Sequence, residues 1–248
     1  MDRMEVTALF DSTPHLGDPG ALRARAEEDG YLWLRGVHSP GAIDALRHRV
    51  LAASERNGWL AANTDPRDAI ARPGIEGLAF DDPQWIALQV ELYPSAELEA
   101  IRACPAVLAT LAALLRANVA PQQGDICRLL FPNAPHRATS AHQDGAYVGA
   151  ERECWTVWSP LTDCPISLGP LAILPGSHRT GLVAHATGAH AVLGATDVSQ
   201  DGWVASDLRA GDALMFHQLT MHAALPNLSP DRLRISVDCR YRRGESGS

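Results

Sequence analysis

The stretch TSAHQDGAYVG, residues 139–149, sets His142 and Asp144 two positions apart. In an extended strand, residues i and i+2 face the same side, so this pair can present an imidazole and a carboxylate to one point. A two-histidine, one-carboxylate iron(II) site needs one further histidine and must leave coordination positions open. The second half of the chain offers His178, His185, His190, His217 and His222. His185 and His190 lie in a Gly/Ala-rich stretch and are expected to be solvated. His178, in the turn LPGSH, is expected to bond to backbone. His217 and His222 stand five apart in FHQLTMH, so one continuous strand would turn them to opposite sides.

After His222 comes the turn-rich AALPNLSPDR and then RLRISVDCRY. Here Arg234, Ser236, Asp238 and Arg240 alternate with Ile235, Val237, Cys239 and Tyr241. The stripe is either the wet face of an ordinary strand or the polar lining of a barrel mouth. In the second case Arg234 offers a planar guanidinium that can hold a carboxylate bidentately, with the Ser236 hydroxyl on the same face. The region thus assembles His142, Asp144, His222 and Arg234, which amounts to a metal site and an anchor for an anion.

The elements that must position these residues fall into two textures. Residues 1–120 read as mostly helical. DPGALRARAEEDG has an Asp-Pro start and a Gly stop, and SPGAIDALRHRVLAASERNG has a Ser cap and helical spacing of Ile43, Leu46, Val50 and Leu51. AELEAIRACPAVLATLAALLRAN reads as helix interrupted before Pro105. YLWLRGV reads as a buried strand. Residues 61–84 are rich in Asp, Pro and Gly and weakly periodic, the pattern of a lid or of disorder. From residue 124 short apolar segments alternate with turns: ICRLLF, CWTVWSPL, LAILPGSH, GWVASDL, DALMFH and RISVDCRY. The spacing predicts a sandwich or jelly roll, not βαβ units. The expectation is one domain over 1–248, mainly β with flanking helices, in which 121–243 form the core and 1–120 serve as support and lid.

Composition sets the bounds. The chain has 248 residues, 46% hydrophobic and 20% charged, as in ordinary globular proteins. A net charge of −8 without basic clusters argues against nucleic acid as a partner. No apolar run reaches the roughly 18 residues of a membrane span, and the N-terminus lacks the features of a signal peptide, so a soluble cytoplasmic protein is expected. The five cysteines are scattered and read as reduced, buried thiols.

HQDGAY, WTVWSPLTDCPISLGPLAILPGSHRTG and GDALMFHQLTMHAALPNLSPDRLRISVDCRY, in this order and spacing, resemble the phytanoyl-CoA dioxygenase-like family of iron(II)/2-oxoglutarate oxygenases. DGYLWLRGVHSPGAIDALR resembles the family's opening strand and helix, and residues 55–120 are the least similar. The resemblance implies a double-stranded β-helix (jelly roll, cupin-like) preceded by a helical region. It implies iron ligation by His142, Asp144 and His222. It further implies that Arg234 and Ser236 hold the distal carboxylate of 2-oxoglutarate, with Trp158 and Gln143 in the same neighbourhood. Arg232 shares the parity of Arg234 and competes with it as anchor.

The implied reaction uses O2 and 2-oxoglutarate, releases succinate and CO2, and hydroxylates a small organic molecule. Related halogenases carry a small residue in place of the carboxylate, so Asp144 points to hydroxylation. Arg128 and Tyr147 are candidates for the substrate pocket. The acidic charge balance weakens the case for a CoA thioester. Two other readings remain at this stage: a jelly-roll metalloenzyme without 2-oxoglutarate, for which Arg234 is unnecessary, and a catalytically silent binding module on the same fold.

Overall fold

Asp18 caps the first helix, accepting hydrogen bonds from Gly20 N and Ala21 N, and Pro19 fills its first turn. This helix, α1 (Pro19–Asp29), stops at Gly30, whose φ of 77° is left-handed. Any side chain at Gly30 would also collide with His178 and Thr220. The structure is a computed structural model describing residues 5–75, 77–132, 134, 138–187, 192–196 and 198–244. In α2 (Pro40–Arg56) the Ser39 hydroxyl accepts from Ala42 N, and Ile43, Leu46, Val50 and Leu51 are buried, as their spacing predicts. α3 (Pro83–Leu92) is capped by Asp82 and α4 (Ala96–Arg102) by Ser95. α5 (Pro105–Leu115) follows after a 45° bend where Pro105 interrupts the pattern. Among the described residues no single helix is long and apolar enough to cross a membrane.

The fold is a mixture of helices and antiparallel sheet. β1 (Tyr31–Leu34), β2 (Val119–Pro121), β3 (Ile126–Leu130), β4 (Cys154–Pro160), β8 (Ala213–His217) and β10 (Arg234–Arg243) form one six-stranded sheet. Its order is β1-β8-β4-β10, and the long β10 takes β3 and β2 along its far side. β5 (Leu171–Ile173) pairs with β9 (His222–Ala224), and β6 (His185–Thr187) pairs with β7 (Val192–Ala195). Every one of these pairings is antiparallel.

The period of two sorts the large sheet into two faces. Leu32, Leu34, Met215, Val157, Ile235, Val237, Cys239 and Tyr241 join Leu46, Val50, Ile101, Val107 and Leu111 of the helices in one core. Tyr31, Trp33, Leu214, Phe216 and Trp158 face the other way and pack with Leu171, Ile173, Val204 and Ala224. The helices therefore cover one face of the sheet and the β5–β9 layer covers the other. All five cysteines are free and buried, as expected.

Two segments differ from the sequence expectation. GWVASDL is not a regular strand. It is held by isolated bridges, Val204 to Thr7 and Ile173 and Leu208 to Cys164, while the side chains of Ser206 and Asp207 accept from Leu9 N and Ile166 N. Side chain–backbone bonds of this kind offer the chain an alternative to the ladder. Residues 61–84 divide. Ala69 and Ala71 are buried, and Ile70 bridges Arg232, tying the first half to the start of β10. Phe80 is the part that reaches toward the interior layer, standing 5.6 Å from the Arg128 guanidinium.

Candidate metal centre and anion pocket

His142 and His222 are backbone partners. Each donates its N–H to the other's carbonyl, at 2.9 and 3.0 Å, which brings the two imidazoles together, tilted by 53° with centroids 4.2 Å apart. Asp144 does not continue this extended run, as strand alternation had predicted. The chain turns there into a single helical turn, α6 (Gly145–Val148), with Asp144 at φ −58° and ψ −29°. The Asp144 carbonyl accepts from Tyr147 N and Val148 N, and Gly145 N donates to Gln218 O at 2.8 Å. A bridge followed by a turn thus swings the carboxylate under the two rings. Asp144 Oδ1 lies 3.7 Å from His142 Nε2 and 3.8 Å from His222 Nε2. Among the described residues, these three side chains form the group whose ligand atoms converge, all within 4.8 Å of one another.

The tautomers follow from the partners. His142 Nδ1 lies 2.8 Å from Ser140 O and His222 Nδ1 lies 3.0 Å from Thr220 O. A carbonyl only accepts, so each Nδ1 carries the proton and each Nε2 keeps its lone pair toward Asp144. Burial, then the neighbouring His142, push His222 down to about 3, which holds it neutral. Burial alone would raise Asp144, but the Arg240 guanidinium beside it outweighs this and the carboxyl is held well below its usual range. Thr156 Oγ1 donates to Asp144 Oδ2 at 2.5 Å, and Arg240 Nη2 lies 3.5 Å from Oδ1. The result is two imidazole Nε2 atoms and one carboxylate oxygen, buried and aimed at one point. That donor set fits iron(II).

The polar stripe of β10 faces this centre. Registers place Arg240 opposite Thr156, Asp238 opposite Trp158, and Arg128 of β3 opposite Ser236. Arg234 is 2% exposed, and its Nη1 donates to Ser236 Oγ at 2.6 Å. Its Nε has no partner among the described residues, nor has Trp158 Nε1, although both atoms are buried. The Trp158 ring lies 5.7 Å from the guanidinium carbon. A buried cation with idle donors requires an anion. The carboxylate of a dicarboxylic cosubstrate fits this need. Arg232 is exposed beside Arg47 and Arg67, on a surface cleft outside this layer.

Gln143 does not join the set. Its Nε2 donates to Gly181 O and Leu219 O, and its Oε1 accepts from Val183 N, so both ends of the amide hold loops on the far side of His142. His185 was expected to be solvated, but its Nε2 accepts from Gln143 N at 3.0 Å. His217 ends β8 on the helix-facing side and His178 lies 5.9 Å from it, both away from the triad. His190 lies outside the described residues. Tyr147 stands edge-on to His142 at 5.4 Å, and Arg128 Nε donates to Asp238 Oδ2 at 2.6 Å. Reading the sequence missed Thr156 and left Arg240 without a role. The visible signal was a pair of polar residues at interior-facing positions of otherwise apolar strands.

The sequence pattern of the family described as phytanoyl-CoA dioxygenase (PhyH) matches residues 26–236. A curated relative, the 1-deoxypentalenic acid 11-beta-hydroxylase of Streptomyces exfoliatus, is 28% identical over 95% of this chain and 85% of its own length. Among solved structures, the epimerase SnoN in complex with Fe3+, alpha ketoglutarate and nogalamycin RO is similar at 25% identity and a TM-score of 0.61, covering 91% of this chain and 85% of that one. EvdO2 from Micromonospora carbonacea var. aurantiaca, complexed with 2-oxoglutarate, shares the fold with a TM-score of 0.64 and 21% identity, over 99% of this chain and 96% of that one.

Proposed function

The chain belongs to the phytanoyl-CoA dioxygenase family and is a non-haem iron(II)/2-oxoglutarate-dependent oxygenase; from that premise we propose that it hydroxylates an unactivated C–H bond of a small organic molecule. The hydroxylase activity of the Streptomyces relatives and the carboxylate at Asp144 support this outcome. The six-stranded sheet and the β5–β9 layer are the two sides of a double-stranded β-helix in this reading, and residues 1–248 act as one oxygenase domain supported by the N-terminal helices.

Iron(II), when bound with 2-oxoglutarate and O2, supplies the oxidising chemistry, in which succinate and CO2 leave and a C–H bond is oxidised. His142, Asp144 and His222 hold the metal through Nε2, one carboxylate oxygen and Nε2. The Nδ1–H bonds to Ser140 and Thr220 keep both lone pairs in place. Thr156 occupies Asp144 Oδ2 and so leaves Oδ1 as the ligating oxygen. Arg234, steadied by Ser236, takes the distal carboxylate, with Trp158 Nε1 as an additional donor. The apolar layer of Leu171, Ile173, Leu214 and Phe216 keeps water from the far side.

The observation that carries this reading is the pairing of the lone-pair triad with an uncompensated buried guanidinium in the same interior layer. Manganese(II) as a redox-silent stand-in should raise the Tm, and 2-oxoglutarate should raise it further, because ligands selective for the folded state stabilise it. Arg234→Ala should lose the second increment and keep the first. An equal 2-oxoglutarate effect in that variant sinks the assignment. With iron(II), succinate formation accompanied by a product bearing one added oxygen atom supports hydroxylation. An isomeric product, or one short of two hydrogens, replaces it with epimerisation or ring closure.

A further inference from the structure

We propose that Arg128 anchors a carboxylate of the molecule this oxygenase oxidises, and that this substrate is a small apolar acid carrying one negative charge. The inference rests on the cofactor reading above and deepens it at the substrate end of the same site.

The charge count of the interior face comes first. Between Leu130 and Asp144 the stripe and its neighbours present three arginines, Arg128, Arg234 and Arg240, against two carboxylates, Asp144 and Asp238. Asp125 is paired with Arg102 at 3.1 Å, and Arg242 donates to Val148 O at the strand's end, so neither alters the balance. Iron(II) and the 2-oxoglutarate dianion cancel each other. One positive charge is left over among the described residues, in a layer where unpaired charge is costly.

Geometry then selects the arginine. Arg234 and Arg240 are enclosed, but the Arg128 side chain keeps 16% of its surface open. It faces the site, opposite Ser236 in register, with Thr139 Oγ1 3.5 Å from its Nη1. Asp238 engages it side-on through Nε. The outer Nη1/Nη2 edge, the geometry that grips a carboxylate with two parallel bonds, is not used by another carboxylate among the described residues.

The surroundings give the rest of the substrate. Phe80 lies over the Arg128 guanidinium and is 59% exposed, and Tyr147 lies against His142 and is 47% exposed. Large exposed aromatics touching both the cation and a metal ligand mark a surface that binds apolar matter. A carboxylate held at Arg128 would leave an apolar body between these two rings, beside the open side of the triad.

The test uses the full chain loaded with manganese(II) and 2-oxoglutarate, titrated calorimetrically with decanoate and adamantane-1-carboxylate and with the methyl ester of each. At least one acid should bind about tenfold or more tightly than its ester, the margin of a charge-assisted bond. Arg128→Gln should bring the acid down to the level of the ester, and Arg128→Lys should keep part of the preference. The acid–ester comparison on the unaltered protein needs no variant to fold. Neither acid binding, equal binding of acid and ester, or a preference retained in Arg128→Gln overturns the proposal. The manganese and 2-oxoglutarate Tm shifts, taken on the same sample, separate the two levels: their absence overturns both readings, and their presence without an acid preference overturns only this one.

Discussion

The two faces of β10 are equally inaccessible to water and chemically opposite. Ile235, Val237, Cys239 and Tyr241 are at most 2% exposed and lie in the core shared with the helices. Arg234, Ser236, Asp238 and Arg240 are at most 5% exposed and carry charge or a hydroxyl. On the first face burial of apolar area stabilises the fold directly. On the second, burial costs free energy unless each group is partnered, and Arg234 Nε and Asp238 Oδ1 have no partner among the described residues. A strand with one such face has a stabilising side and a side organised around something it must bind.

That contrast can be broken most severely by exchanging a residue from each side. Asp144→Ala, on the polar side, should abolish manganese(II) binding, a loss of at least about a hundredfold in affinity, since it removes a ligand outright. The variant also leaves the buried Arg240 guanidinium without its carboxylate, so some stability should be lost as well, and the affinity is read on the folded fraction. Ile235→Ala, on the apolar side, should lower unfolding free energy by about 2–5 kcal/mol while leaving the metal affinity of the folded fraction unchanged. Calorimetric titration and urea denaturation read the two effects separately. If Ile235→Ala weakened metal binding as strongly as it weakened the fold, the two faces would not be independent.

How much of this was legible beforehand follows the same division. Helix caps and apolar spacing in α1 and α2 are local signals, and their predicted faces are the buried ones. The parity of RLRISVDCRY was also readable, but not what lay opposite each residue. Arg232 and Arg234 share parity, and only the start of β10 after the Asn227–Arg232 turn puts one outside and the other in the interior. The pair in HQD was noticed for a strand geometry it does not have, because the turn at Asp144 depends on Gly145 approaching residue 218. Gln143 was misplaced for the same reason: its partners at 181, 183 and 219 are distant in sequence. Thr156 looked like an ordinary strand residue until the pairing of β4 with β10 set it beside Asp144.

The apolar side has a polar intrusion that sharpens the comparison. His38 Nε2 lies 2.9 Å from Ser159 Oγ, and Ser159 pairs with Val237. Burial pushes the His38 imidazole down to about 4. The unfolded value is about 6.5, so above that pH both states are neutral and the full stability is present. As pH falls from about 6.5 to 4 the unfolded chain takes a proton that the folded one refuses, and stability is lost, in total roughly 3 kcal/mol. Asp125, pushed up to about 6 by burial against the opposing pull of Arg102, acts with the reverse sign and gains stability as pH falls from about 6 toward 4. The wild-type profile mixes the two. The difference between wild type and His38→Gln, from urea unfolding at several pH values without metal, should isolate the histidine and decline below about pH 6.5. A flat difference would mean that His38 accepts its proton in place.

The smallest effect probes how the polar side is held together. Thr156→Val keeps shape but removes the hydroxyl that donates to Asp144 Oδ2, leaving that oxygen buried with one less donor. If the hydroxyl fixes which oxygen faces the imidazoles, manganese(II) affinity should fall about 10–100-fold, the usual cost of losing a group that orients a ligand. Thr156→Ser restores the donor and should recover most of the affinity, which a purely steric role for the threonine methyl would not allow. Arg240 still faces Oδ1 in every variant, so the carboxylate stays ionised and the change reads orientation, not charge. Equal affinity in Thr156→Val and wild type would show that Arg240 and the two histidines position Asp144 by themselves.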